Sequence, residues 1–205
     1  MMYAIVGIVI GYVLGCCQTG YFVGKLNQID IRNYGSGNSG TTNTLRVLGK
    51  KAAGITFLGD ALKGVFAVCI ARWILAPHTD IRLEALMLLA GFGAVLGHDF
   101  PVIMKFKGGK GIATTGGVLF AMDPRLALIC IVIFGTVTGI SKYVSLGSIC
   151  MMIGVPLMLW GFYGTDPYII GLGIVYAVLA IWRHRANVGR LLHGTENKLG
   201  QKVNR

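Results

Sequence analysis

Long apolar runs alternate with short polar stretches along this chain, and the pattern predicts an all-helical integral membrane protein. A helix needs about 20 mainly apolar residues to cross a bilayer. Hydropathy places the ends of such helices only to within a few residues. Seven segments are predicted to cross: Tyr3–Lys25, Ala52–Ala76, Arg82–Ile103, Ile112–Met122, Leu126–Ile140, Leu146–Tyr163 and Tyr168–Trp182.

The basic residues between these segments predict their orientation, because Lys and Arg collect in cytoplasmic loops. With seven crossings, one side receives the basic residues of four stretches: 25–51, 105–110, Lys142 and the six in Arg183–Arg205. The other side receives only Arg82 and Arg125, together with four carboxylates. We therefore count the short segment Ile112–Met122 as a crossing, and we expect the N-terminus outside and the C-terminus in the cytoplasm.

Composition agrees with a membrane protein, since 54% of the residues are hydrophobic and 13% are charged, against about 25% charged in soluble domains. The net charge of +11 comes without any nucleic-acid-binding motif, so nucleic acid is not an expected partner. A lipid bilayer with anionic headgroups, or a small anionic substrate, suits the charge better. No repeat or long linker divides the chain, which predicts a single domain over residues 1–205.

The apolar segments also contain a possible leader sequence and all five cysteines. The stretch Val13–Cys17 resembles a lipoprotein cleavage box, but the start of the chain lacks the basic residues that a secretory leader requires. The first segment is therefore expected to remain in the protein. The five cysteines lie in apolar stretches without CxxC spacing or clustered histidines, so neither a disulfide nor a metal site is expected.

Polar residues gather in four clusters, which the predicted topology places on the cytoplasmic side. Because all four fall on one face of the membrane, we expect them to converge on one pocket. They are Gly35–Lys51, Gly97–Thr115, Ser141–Ser145 and Arg183–Lys198.

The first cluster opens with "GSGNSGTTN" (Gly35–Asn43). Glycines allow backbone N–H groups to approach an anion closely. Ser36, Thr41 and Asn43 add side-chain donors, and Arg46 adds a planar guanidinium suited to phosphate. The cluster therefore indicates oxyanion binding, and a flexible loop of turn-forming residues is the alternative.

The second cluster contains "KFKGGKGIAT" (Lys105–Thr114). It is not a Walker A motif, because Gly111 rather than Ser or Thr follows Lys110. A glycine-rich turn with three lysines ahead of a helix N-terminus still favours an anion. A basic anchor loop at the membrane surface is the alternative.

His98 lies near the inner end of the third predicted segment, and it is either a general base or only a hydrogen-bonding residue. The HxxxxD motif of one acyltransferase class is absent, since Ile103, Gly189 and Lys198 stand five residues after His98, His184 and His193. That class is excluded.

Two further groups of polar or charged residues stand out, one after the last predicted segment and one inside the second. Arg183, Asn187 and Arg190 are spaced to share one helical face, which would either bind phosphate or reach into the lipid headgroups. Asp60 and Lys63 lie inside an apolar segment, where an ion pair is the expected arrangement.

Three of these stretches, "GSGNSGTTN" with Arg46, "GHDFPVIMKFKGGKGIAT" and "HRANVGRLLHGTENK", resemble the three cytoplasmic motifs of the bacterial PlsY family, the acyl-phosphate:glycerol-3-phosphate acyltransferases. The resemblance extends over nearly the whole chain, and the motifs follow in the same order. Departures at Ser39, Thr41 or Thr42, and Val188 are conservative in size.

The resemblance implies a multi-pass enzyme of the bacterial cytoplasmic (inner) membrane, with its active site facing the cytoplasm. It would move a fatty acyl group from acyl phosphate to the 1-hydroxyl of sn-glycerol 3-phosphate, and it would need no metal or organic cofactor. A monomer is favoured.

The resemblance also implies functional residues. The residues expected to act in catalysis are Ser36, His98, His184 and Asn187. Those expected to bind glycerol 3-phosphate are Ser36, Arg46, Lys107, Ser145, His184 and Asn187. Those expected to bind acyl phosphate are Gly37, Asn38, Thr41, Asn43, Gly108, Gly109, Lys110, Gly111 and Thr114.

A membrane transporter for phosphate or an organic anion is the main alternative function. Such transporters carry their sites near the midplane between repeated halves. Here the polar clusters lie on one side and no repeat is visible, which favours the enzyme. A scaffold protein would leave the glycine-rich motifs without a purpose.

Overall fold

The computed structural model describes residues 1–201, and within that range the chain forms helices and no strands. Lys202 and Arg205, which belong to the predicted basic tail, lie outside the described residues. The helices are α1 (Met2–Gly15), α2 (Thr19–Leu26), α3 (Thr41–Leu48), α4 (Lys50–Ile70), α5 (Leu83–Asp99), α6 (Ile112–Met122), α7 (Pro124–Ser141), α8 (Val144–Tyr163), α9 (Pro167–Arg183) and α10 (Arg185–Leu192).

Each predicted apolar segment coincides with helical structure, but length supports fewer crossings than seven. Five helical stretches within residues 1–201 are long and apolar enough to span a bilayer, and α9 with α10, bent by 60°, makes a sixth if the pair counts as one span. Helix α6 has 11 residues and is therefore about 16 Å long, well short of the hydrocarbon core of about 30 Å. The all-helical membrane architecture is confirmed.

The first predicted segment is broken rather than continuous. Helix α1 ends at Gly15 and α2 begins at Thr19. Between them, the Gln18 side-chain amide donates hydrogen bonds to the carbonyl oxygens of Gly15 (3.3 Å) and His98 (3.0 Å). A break at membrane depth is stable only when neighbouring groups satisfy the freed backbone, and apolar periodicity carries no signal of such partners.

Close contacts between helix backbones hold the bundle together. A Cβ atom on Gly11 of α1 would lie 2.0 Å from the carbonyl oxygen of Ala90 in α5, and one on Gly97 of α5 would lie 2.1 Å from that of Tyr12. Small residues permit this approach, and dispersion contacts then stabilise helix pairs in a bilayer. The same device joins α4 to α6, where a Cβ on Gly117 would lie 2.0 Å from the carbonyl oxygen of Ala61.

Two substitutions test this packing. Gly11→Ala should lower the free energy of unfolding by about 1–3 kcal/mol, the usual cost of overpacking, because its methyl group has no room against Ala90. Gly135→Ala in α7 is the matched control, since nothing lies within 4 Å of its added Cβ and alanine favours a helix. Thermal unfolding in detergent measures both, and equal melting temperatures would contradict the packing role of Gly11.

Candidate active site

A cavity of about 710 Å³ opens at the end of the bundle where the polar clusters meet. One part of its wall is polar, and the other part is apolar. The polar residues include Ser36, Asn38, Thr41, Arg46, Lys110, Ser145, His184 and Asn187. The apolar residues include Phe57, Leu58, Leu62, Val65, Phe120, Ile131 and Phe134. The cavity therefore suits a ligand with a polar head and an apolar tail.

Asn43 shapes the loop that carries Ser36. The Asn43 carboxamide oxygen accepts a hydrogen bond from the backbone N–H of Ser36 at 2.8 Å. Its Nδ2 donates to three backbone carbonyl oxygens, those of Ile31, Tyr34 and Asn38, at 3.1, 3.0 and 2.9 Å. Although Asn43 lines the cavity, its amide is thus committed to the loop. Its predicted role as an acyl-phosphate ligand is better read as positioning Ser36 and Asn38.

Helix α3, which the sequence did not reveal, presents Thr41 and Arg46 to the cavity. The hydroxyl oxygen of Thr41 is buried without a hydrogen-bond partner among residues 1–201, so it can serve a ligand. Among residues 1–201, the Arg46 side chain donates a single long hydrogen bond, 3.4 Å, to the carbonyl oxygen of Asn197. Burial lowers the pKa of this guanidinium from its ordinary value, and the side chain remains a cation at neutral pH.

The paired glycines of the second cluster serve packing rather than the cavity wall. A Cβ on Gly108 would lie 2.0 Å from the carbonyl oxygen of His98, and one on Gly109 would lie 1.9 Å from His98 Nε2. The Gly109 N–H donates to the His98 carbonyl oxygen at 2.9 Å, while Arg183 Nε donates to the Gly109 carbonyl oxygen at 3.0 Å. Their predicted contact with acyl phosphate therefore lacks geometric support.

The lysine that reaches the cavity is Lys110 rather than Lys107. Lys110 donates a hydrogen bond from Nζ to the carboxamide oxygen of Asn187. Burial lowers the pKa of its ammonium group to about 8. Lys107 is exposed and lines a separate depression together with Gly37, so the structure does not bring these two predicted ligands to the cavity. The three lysines of one turn look alike in sequence, and only the fold separates them.

The helix after the cavity also differs from the prediction. Arg183 does not share a face with Asn187 and Arg190, because the chain bends by 60° between α9 and α10. Arg183 instead donates hydrogen bonds to the carbonyl oxygens of Gly108 and Gly109. Of the other predicted ligands, Gly111 lines the cavity with a left-handed φ of 71°, whereas Thr114 is buried where α6 meets Gly64 of α4.

Glu196 is the site residue that sequence reasoning missed. Its Oε1 accepts hydrogen bonds from Ser145 Oγ at 2.9 Å and Asn187 Nδ2 at 2.7 Å, and its Oε2 accepts from Arg190 Nε at 2.7 Å. Burial raises the pKa of this carboxyl, but these hydrogen bonds outweigh it, and the pKa lies below its ordinary value. In the sequence, Glu196 is the only acidic residue after Asp166, and this position among basic residues could have singled it out.

The hydrogen bonds of the two candidate histidines distinguish them. His184 Nδ1 lies 2.8 Å from the Ala180 carbonyl oxygen, which can only accept, so Nδ1 carries the proton and Nε2 keeps a lone pair. His98 Nδ1 lies 2.7 Å from Lys63 Nζ. The ammonium group donates there, so the lone pair of His98 is already engaged. His184 is therefore the better base of the two.

The predicted ion pair between Asp60 and Lys63 is present inside α4, with Lys63 Nζ 3.0 Å from Asp60 Oδ1. Lys63 also donates to the Cys17 carbonyl oxygen at 2.8 Å, at the break between α1 and α2. Together with its contact to His98, this ammonium group links three parts of the chain beneath the cavity.

Comparisons with known proteins agree with this geometry. The family model described as "Glycerol-3-phosphate acyltransferase" matches residues 5–194. A glycerol-3-phosphate acyltransferase of Thermoanaerobacter pseudethanolicus is 46% identical over 203 residues, covering 98% of each chain. The chain belongs to the glycerol-3-phosphate acyltransferase family. The enzyme of that name from Bacillus subtilis is 41% identical, covering 94% of this chain and 95% of its own.

Solved structures place the chain with the PlsY proteins of this family. A crystal structure of PlsY, an integral membrane glycerol 3-phosphate acyltransferase, in its glycerol 3-phosphate form has a TM-score of 0.87 at 38% identity, covering 96% of both chains. The lysophosphatidic acid form has a TM-score of 0.85 at 37% identity, covering 96% of this chain and 95% of that one. The resemblance that the three motifs carry is confirmed.

Neutralising Glu196 tests its place in this cavity. Glu196→Gln should destabilise the protein by about 1.5–3 kcal/mol, the range for hydrogen bonds to charged groups, because Lys110 and Arg190 lose the carboxylate that faces them. Inorganic phosphate should raise the melting temperature of this variant more than that of the wild type.

Glu84→Gln is the matched control, because Glu84 pairs with Arg82 at a partly exposed site, where ion pairs contribute little. Thermal unfolding is measured for both variants with and without phosphate. Equal melting temperatures and equal shifts with phosphate in the two variants would contradict this role of Glu196.

Proposed function

We propose that this protein transfers a fatty acyl group from acyl phosphate to the 1-hydroxyl of sn-glycerol 3-phosphate, which yields lysophosphatidic acid and inorganic phosphate. This is the first acylation step in making a glycerophospholipid. The observation that carries the proposal is a cavity in which a cationic polar part adjoins an apolar groove. The family membership of the chain supports the same reaction.

The polar part of the cavity suits two phosphate groups. Both proposed substrates are anions that repel each other, and cations lower the cost of bringing them together. Arg46 and Lys110 line the cavity, and Arg190 stands behind Glu196. The hydroxyl of Ser36, the hydroxyl of Thr41 and backbone groups near Gly111 are further donors for phosphate oxygens.

The apolar groove suits the acyl chain. Residues of α4, α6 and α7 form it, and several of them are exposed on the outside of the bundle, including Phe57, Phe120 and Ile131. In a bilayer these side chains face lipid tails, so a long-chain donor enters sideways without its chain crossing water. The carboxyl end of that chain then lies beside the polar part of the cavity.

Acyl transfer here needs positioning more than a protein nucleophile, because acyl phosphate already has a good leaving group. The 1-hydroxyl oxygen of glycerol 3-phosphate forms a bond to the acyl carbon, and the bond from that carbon to the phosphate oxygen breaks. The hydroxyl proton passes to His184 Nε2 or directly to phosphate, and it leaves on inorganic phosphate. Asn187 orients the hydroxyl, and Lys110 stabilises the developing oxyanion.

We also propose that one domain over residues 1–205 lies in the bacterial cytoplasmic membrane as a monomer with seven crossings, of which the short helix α6 is one. The N-terminus is outside, and the cavity faces the cytoplasm. The convergence of the basic stretches on the cavity end of the bundle supports this orientation. Transport of an anion is the second candidate, but the polar groups line one end rather than the midplane.

The reaction and the donor are tested together. Protein purified in detergent receives glycerol 3-phosphate with palmitoyl phosphate, palmitoyl-CoA or palmitoyl-carrier protein, and lysophosphatidic acid is measured. We expect product from palmitoyl phosphate alone. Product from a thioester would overturn the donor, and a folded sample without product from any donor would overturn the enzyme in favour of the transporter.

The pKa of Lys110 predicts how activity depends on pH. The charged ammonium form binds phosphate, and its pKa of about 8 in the free protein means that this form is lost as the pH rises. Because kcat/KM reports the free enzyme, kcat/KM for glycerol 3-phosphate should fall about tenfold from about pH 7 to about pH 9.

Arginine at this position keeps its charge over the whole range. Lys110→Arg should therefore have a lower kcat/KM without the alkaline fall. Lys107→Arg is the matched control, since Lys107 lies outside the cavity, and it should keep the wild-type profile. An alkaline fall that persists in Lys110→Arg would rule out Lys110 as its source.

A further inference from the structure

A second depression, of about 640 Å³, lies beside the first loop and is separate from the cavity described above. Its walls come from the start of α2, from the stretch before Gly37 and from the turn that follows α5. The residues that give it its character are Tyr21, Phe22, Arg32, Ile103, Lys105 and Lys107. The proposed acyl transfer assigns no role to this depression.

Positive charge in the depression is only partly neutralised. Arg32 is bound by Asp30 at 2.7 Å and lies over the ring of Tyr21. The side chains of Lys105 and Lys107 form no ion pair or hydrogen bond with any residue in 1–201. Two lysines that line one depression are thus not neutralised by any carboxylate of residues 1–201.

The backbone places these lysines at some cost. Lys105 and Phe106 both adopt left-handed φ angles, 53° and 60°, and such angles are unfavourable for residues other than glycine. In this conformation Lys105 and Lys107 line the depression, while Phe106, between them, is 59% exposed. Strain of this kind persists where the surroundings over-determine it, and it is often found at ligand-binding segments.

Apolar side chains complete the surroundings. Ile103 is 69% exposed and Phe22 is 49% exposed, and both line the depression. They belong to the apolar stretches Leu83–Met104 and Met2–Leu26, at the ends next to the lysines. A ligand here meets cations on one side and apolar side chains on the other. This arrangement complements an anionic phospholipid, whose charged headgroup adjoins its apolar chains.

We propose that this depression binds the headgroup of an anionic phospholipid of the surrounding bilayer. The phosphate lies between Lys105 and Lys107, and the acyl chains run along Phe22 and Ile103. The lipid contacts the back of the active site, because Gly37 lines the depression while its neighbours Ser36 and Asn38 line the catalytic cavity. Gln18 also lines the depression, and its Oε1 accepts a hydrogen bond from Ser39 Oγ at 2.9 Å.

Native mass spectrometry of the detergent-solubilised protein tests this site without turnover. The protein is titrated with dioleoyl phosphatidylglycerol, with dioleoyl phosphatidylcholine and, separately, with inorganic phosphate as competitor. We expect the wild type to bind one phosphatidylglycerol that the Lys105→Gln/Lys107→Gln double variant binds at least about tenfold more weakly. Phosphatidylcholine should bind equally weakly to both proteins.

The double variant Lys50→Gln/Lys51→Gln is the matched control, because it removes two exposed lysines at the start of α4. It should bind phosphatidylglycerol like the wild type. An equal loss in the control would mean general surface attraction and would overturn the proposal. Displacement of the lipid by millimolar phosphate would identify a free-anion site and would overturn the lipid assignment. Either result leaves the acyltransferase assay unaffected.

Discussion

A buried ammonium group needs partners on every side, and the arrangement around Lys63 follows from that need. Leaving a charge unpaired in an apolar bundle costs several kcal/mol. Lys63 therefore draws together Asp60 of its own helix, a carbonyl oxygen at the break after α1, and His98 at the end of α5. The floor of the cavity is thereby fixed at one point.

The rest of the site is built outward from this floor by backbone groups. His98 supports the Gly108–Gly109 turn, and Arg183 holds the turn from the other side. Asn43 does the same for the first loop by binding four backbone groups at once. Many of the polar residues in these motifs therefore hold the chain in shape, which leaves a smaller set to meet the substrate.

Sequence reasoning predicted the helices and the family well, because apolar length and ordered motifs are local properties. The ion pair of Asp60 and Lys63 was predictable for the same reason, since a charge inside an apolar run has few partners to choose from. The break at Gln18 was not, because its stabilising partner is His98, eighty residues away in the chain. The choice between Lys107 and Lys110 likewise depends on the direction of a turn.

The two-part wall of the cavity has a consequence for the fate of the products. Under the proposed reaction, inorganic phosphate leaves through the polar end into water, whereas lysophosphatidic acid retains its chain and leaves through the apolar side into the bilayer. The two products are thus diluted into different solvents as soon as they separate. A cavity with a polar part and an apolar part therefore suits the release of each product into the phase that dissolves it.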